Sequence, residues 1–167
     1  MLITRRVATG LLLVPLGGIR FAGAQPAAAT AQVTFVLVND IYLMSDVMMP
    51  DGKRRGGFAR LAAVVKAERA RADATGAQAI FAHAGDTLSP SLMSGIDQGA
   101  SIMTLTNMVR PDIFTPGNHE YDFGKAVFLE RMAAATFPRY GANLRNADGA
   151  PLGVPAWAKS RTRCAHA

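Results

Sequence analysis

Three apolar runs that each break off at a polar tip constrain the fold of this chain more than any other feature. Residues 33–38 form a β-branched run of strand length that stops at Asn39-Asp40. Residues 79–84 stop at Gly85-Asp86, and the shorter run 113–115 at Pro116-Gly117-Asn118. Runs of this length, bounded by Asn, Asp, Gly and Pro, read as β-strands. Between them lie stretches with helical spacing. Residues 58–71 carry Leu61, Val64, Val65 and Glu68 on a helical period, with Gly56-Gly57 before and Gly76 after. Residues 100–108 and 125–135 read as two further helices, and residues 140–144 as a fourth strand. Strand–helix–strand alternation puts parallel strands at the centre and helices on the faces, an α/β architecture. Continuous rather than alternating apolar strands suit a sheet covered on both sides.

Half of the residues are apolar and 18% are charged, enough for a packed core and unlike a disordered chain. The net charge of +6 invites comparison with nucleic-acid binders, but Arg5, Arg6 and Arg20 lie in the first twenty positions and the other basic residues are scattered. Without a basic stripe interleaved with aromatics, no nucleic-acid polymer is expected as a partner. The single cysteine, Cys164, excludes an internal disulfide. Residues 1–24 read as a secretory signal peptide: Arg5-Arg6, a short apolar run, then Ala22-Gly23-Ala24. The run is too short to span a bilayer core of about 30 Å, so no stable membrane anchor is expected. Thr4-Arg5-Arg6 leaves Sec and twin-arginine export both open. Cleavage near Ala24 would deliver a periplasmic or secreted protein. Residues 25–32, rich in Ala, Pro and Thr, form a linker, and 33–152 the domain.

The polar residues that could carry chemistry fall at the carboxyl ends of the expected strands, where open α/β sheets bind ligands. Asp40, Asp86, Asn118 and His119 would converge from three loops, an oxygen-and-nitrogen set suited to Mn, Zn, Fe or Mg. Taken singly, Asp40 reads better as a helix cap; for His119 with Asp122 the alternative is a structural histidine beside a capping carboxylate. Gly85 and Gly117 allow sharp turns beside a ligand.

Asn39-Asp40, Gly85-Asp86-Thr87-Leu88-Ser89 and Gly117-Asn118-His119-Glu120-Tyr121-Asp122-Phe123-Gly124 together resemble the calcineurin-like metallophosphoesterase superfamily. Within it they are most similar to the bacterial 5′-nucleotidase / UDP-sugar hydrolase branch. Gly56-Gly57-Phe58-Ala59-Arg60-Leu61 and Tyr140-Gly141-Ala142-Asn143-Leu144 match that branch in order, so the likeness covers roughly residues 33–150. It implies the amino-terminal part of a layered phosphoesterase fold with a central, mostly parallel sheet flanked by helices. It also implies two divalent metal ions (Mn, Zn, Co, Fe or Mg) and a nucleotide or related phosphate ester as substrate. Asp40 would bind the first metal, Asp86 bridge both, and Asn118 bind the second. His119, oriented by Asp122, would donate to the phosphoryl oxygen in the transition state.

The sequence departs from the pattern in two places. Tyr42 stands where the family usually has a metal-binding histidine, and a neutral phenol is a poorer ligand than imidazole. The family also draws further histidines from later motifs. Of the three histidines here, His83 reads as packing or second-sphere support rather than a ligand, and His166 lies in an atypical tail, 153–167. The expectation is therefore a premature end and weak or no turnover by this chain as it stands. An exported, non-catalytic metal- or nucleotide-binding remnant is the alternative. Oligomeric state is left open.

Overall fold

The computed structural model describes residues 31–152 and 154. The segments expected as signal peptide (1–24) and linker, up to residue 30, and nearly all of the expected tail, His166 included, lie outside the described residues.

Strands β1 (Val33–Val38), β4 (Gln78–His83) and β5 (Ile113–Phe114) form a parallel sheet in the order β1-β4-β5. Helix α1 (Phe58–Thr75) crosses from β1 to β4; α2 (Ser94–Asp97) and α3 (Ala100–Val109) lead from β4 to β5. After β5 come a single 3₁₀ turn at His119–Tyr121 and helix α4 (Gly124–Ala134). Register pairs Val36 with Phe81 and Val38 with His83, and then His83 with Phe114. Paired residues of a parallel sheet project to the same side, so these five share one face.

That face carries the core. Phe81 packs with Phe58 and Val65 of α1 and with Ile102 and Val109 of α3, while Val36 and Val38 lean on the same cluster. Phe114 belongs to a second cluster with Leu88, Met103, Phe128, Met132 and Phe137, which carries the floor beneath the β4 and β5 loops. Each fully buried side chain of this size contributes about 1.5–3 kcal/mol. Helix α1 runs four residues past the expected end because Ala72, Asp73 and Thr75 continue it. It closes where the N–H groups of Gly76 and Ala77 return to Asp73 and Ala72. Arg69 reaches from α1 to Asp112, whose carboxylate also accepts the Phe81 N–H, fixing the start of β5.

The opposite face is bare among the described residues. Phe35 and Leu37 are 66% and 67% exposed, and Ile113 is exposed too. The expectation of a sheet covered on both sides is met on one side only. Two further differences are local. The expected strand at 140–144 shrinks to a bridge at Arg139, with the N–H of Tyr140 donating to Phe114 and that of Phe114 to Pro138. Pro138 has no N–H to extend the ladder, and the chain turns at once, Leu144 bonding back to Gly141. A small antiparallel hairpin, β2 (Val47–Met48) with β3 (Arg54–Arg55), fills the connection between β1 and α1. Its two-residue strands are too short to register as a periodic pattern.

Candidate functional site

Residues Asp40, Asp86, Asn118, His119 and Asp122 stand on the loops that leave the carboxyl ends of β1, β4 and β5. Backbone bonds carry the sheet beyond the strands. Ala84 donates to Val38, Asp40 to the carbonyl of Gly85 at 3.1 Å, and Thr115 to His83. Asp40 and Asp86 both adopt left-handed backbone, φ +57° and +56°. Asp tolerates that region better than most side chains, so each loop turns off the sheet with a carboxylate at the bend.

The second and third loops touch. A Cβ on Gly85 would stand 2.3 Å from the nitrogen of Gly117, and one on Gly117 2.2 Å from Asp86 Oδ1. Only bare backbone fits at either position. The N–H of His119 donates to Asp86 Oδ1 at 3.0 Å. Asp40 and Asp86 act electrostatically on both His83 and His119, which puts two carboxylates and two imidazoles in one neighbourhood.

His119 opens the 3₁₀ turn and Asp122 follows its last residue, Nδ1 to Oδ2 2.7 Å. The Asp122 hydrogen bond raises the imidazole above its ordinary pKa, with the charges of Asp122, Asp86 and Asp40 adding to it and partial burial opposing it. The same carboxylate oxygen accepts the hydroxyl of Ser89. Ser89 first and His119 second hold the Asp122 carboxyl below the usual range. Because Asp122 accepts at Nδ1, that nitrogen carries a proton, and Nε2 is the position from which a charged His119 can give one up. Tyr121 anchors the turn by stacking on Phe128, ring centroids 4.4 Å apart.

His83 is 2% exposed, and both of its nitrogens are engaged. Nδ1 accepts the Gly85 N–H at 3.1 Å, so the ring proton is on Nε2, which meets Thr87 Oγ1 at 2.8 Å. Burial pushes its pKa down to about 4 against the pull of Asp40 and Asp86. It braces the Gly85–Thr87 turn from below.

The residue that sequence reasoning passed over is Glu120. It is fully buried, and its carboxylate accepts four backbone N–H groups. Oε1 takes those of Thr87 (2.6 Å) and Leu88 (3.3 Å), and Oε2 those of Asp86 (2.9 Å) and Gly117 (2.5 Å). One of the four bonds has a local signature, since a Glu reaching back to the N–H three residues earlier is one arm of a capping box. Gly117-x-x-Glu120 has that spacing.

As a cation site the donors fit in kind but not in number. Two carboxylates and an amide, on loops tied by the Asp40 N–H to Gly85 and by the His119 N–H to Asp86, suit a hard divalent ion. Among the described residues no group of three His, Cys, Asp or Glu side chains is placed to hold one. Tyr42, half-buried beyond Asp40, puts a phenol where the resemblance leads one to expect imidazole.

Comparison with known proteins gives this arrangement its context. A human 5′-nucleotidase is 28% identical over 146 residues, which cover 83% of this chain and 24% of that protein. A probable 5′-nucleotidase of Treponema pallidum is 36% identical over 89 residues, 53% of this chain and 14% of its own length. The solved structure of a 5′-nucleotidase precursor from Thermus thermophilus superposes with a TM-score of 0.56 at 24% identity, covering 66% of this chain and 22% of that one. The chain thus spans about a quarter or less of each of these three proteins. The calcineurin-like phosphoesterase family model matches residues 33–166, most of the sequence. With a parallel sheet that sets its polar loops at the strand ends and with 5′-nucleotidase-like relatives, this chain belongs to the calcineurin-like phosphoesterase family.

Proposed function

We propose that this chain carries the amino-terminal part of the site of an exported, 5′-nucleotidase-like hydrolase of phosphate esters. The observation that carries the reading is the convergence of Asp40, Asp86 and the His119–Asp122 pair on loops bonded to one another, Asp40 to Gly85 and His119 to Asp86. Asp40, Asp86 and Asn118 would hold two divalent cations. Once bound, such ions neutralise phosphoryl oxygens and activate the attacking water.

The chain's own residues do the rest. Asp122 fixes the His119 ring and favours its protonated form, so Nε2 can donate to an oxygen of the phosphoryl group as negative charge grows on it. Ser89 holds the carboxylate oxygen that orients His119. Asn118, exposed at the rim, offers an oxygen that adds no charge of its own. The incomplete donor shell among the described residues supports weak metal binding and low turnover until further donors complete it. The same shortage supports the second reading, a non-catalytic metal- or nucleotide-binding protein. A nucleotide substrate, and export after cleavage near Ala24, belong to this proposal.

The test is hydrolysis of AMP and of a chromogenic phosphodiester by the purified chain with Mn²⁺, Zn²⁺ or Co²⁺, beside Asp86→Asn and His119→Ala. Metal-dependent turnover that disappears in both variants supports the catalytic reading. Metal binding without turnover, persisting when the later family motifs are joined to the chain, selects the second, and neither binding nor turnover in either form refutes both.

A further inference from the structure

We infer that Glu120 is a positioning residue that sets the Asp86 loop and the Asn118 loop in one fixed relation before any ligand arrives. The inference rests on the functional reading above only in giving those loops a cation to hold. Its geometric basis is that a single oxygen, Oε2, accepts from both loops, from Asp86 at 2.9 Å and from Gly117 at 2.5 Å. Oε1 meanwhile gathers the next two amides of the first loop, Thr87 and Leu88. Three successive N–H groups turned toward one point make a concavity that attracts anions. Glu120 supplies the anion from inside the fold, where it is fully buried.

The consequence reaches the carboxylate that the functional reading puts at the centre. Gly117 lies against Asp86, and the His119 N–H holds Asp86 Oδ1. Among the described residues no donor meets Asp86 Oδ2, so that oxygen is the one left to a ligand. Whether Oδ1 stays engaged depends on where the 117–119 backbone sits, and Glu120 Oε2 ties that backbone to the residue it serves. Glutamine cannot replace this role. Its side chain has one accepting oxygen, and its NH₂ would face two N–H donors.

Two measurements on the full chain test the assignment. In amide hydrogen exchange, Glu120→Gln should speed exchange at His119, an amide Glu120 does not itself bind, by about tenfold or more, while amides in α3 and β4 keep their protection. In a Mn²⁺ titration followed by electron paramagnetic resonance, the same variant should bind about 10–100-fold more weakly than wild type. Unchanged exchange at His119, or loss of protection spread evenly over the whole domain, would overturn the positioning role. Equal Mn²⁺ affinity in the two proteins would overturn its reach to the ligand. A wild-type chain that binds no Mn²⁺ would count against the functional reading instead, and the exchange at His119 would still decide the loop coupling.

Discussion

Lowering the pH should destabilise this domain through one histidine, over a window set by its burial. His83 is buried beneath the site turn with its pKa pushed down to about 4, against an ordinary value of 6.5 once the chain unfolds. Above pH 6.5 both states hold the neutral ring, and the contribution is complete. Below it the unfolded chain takes up a proton that the folded one refuses, so stability falls with pH until about 4, where both are charged. Each unit of separation is worth about 1.4 kcal/mol, so the window removes about 3 kcal/mol, a large share of the 5–15 kcal/mol typical of a domain. His119 does not mask the effect: its pKa is raised, so its own contribution is complete below 6.5 and is lost as pH rises above that value. Asp122, held below the ordinary carboxylate value, acts below the window. The assay is urea denaturation followed by far-ultraviolet circular dichroism at pH 7.0, 6.0, 5.0 and 4.5, with a chelator present. His83→Asn is the control, because its amide oxygen can stand in for Nδ1 toward Gly85 but does not titrate. Wild type should lose stability steadily across the series and His83→Asn should be nearly flat. Equal slopes in the two proteins would refute the reasoning.

Two other substitutions probe the packing around the site. Gly85→Ala puts a methyl 2.3 Å from the Gly117 nitrogen at a φ of +85°, so both strain and collision oppose it. A loss of about 1–3 kcal/mol or more is expected in the same urea assay, and an unchanged midpoint would mean the two loops do not touch. On the bare sheet face, Phe35→Thr with Leu37→Thr should change stability by no more than about 0.5 kcal/mol, because both side chains are mostly in water. The pair should also reduce binding of a hydrophobic dye and slow aggregation. A large loss of stability would mean that something covers this face.

The parts of the molecule legible in the sequence are those whose signal is local. Val33–Val38 and the run ending at Gly85-Asp86 announce strands because apolar residues crowd a short stretch between turn formers. The carboxylates at their ends inherit a location from the strands, so Asp40, Asp86 and the Asn118–Asp122 turn could be assembled before any contact was known. The hairpin at Val47–Arg55 was hidden because two residues per strand carry no period. Arg139 took the place expected of a strand at 140–144 because pairing depends on what β5 offers, not on the apolar content of the segment itself. Phe35 and Leu37 illustrate a different limit. A continuous apolar run records that a strand suits a dry environment on both faces, but it does not record which residues would provide the second cover.

Glu120 lies at the far end of that scale. A carboxylate between His119 and Tyr121 looks like any solvated residue, and its one local signature, the reach back to Gly117, accounts for a single bond of the four. The other three come from residues more than thirty positions earlier, at Asp86, Thr87 and Leu88. Those donors become partners only after β4 and β5 have been brought level by the sheet, so the residue's function is created by topology rather than by its neighbours in sequence. The same reasoning separates the two acids that most resemble each other on paper. Asp122 faces outward and engages His119 and Ser89, side chains that can exchange those bonds for a substrate's, whereas Glu120 engages only backbone. A carboxylate bonded wholly to main chain has nothing to give to chemistry and much to give to geometry. On that physical ground the two roles divide as they do, within a span of three residues.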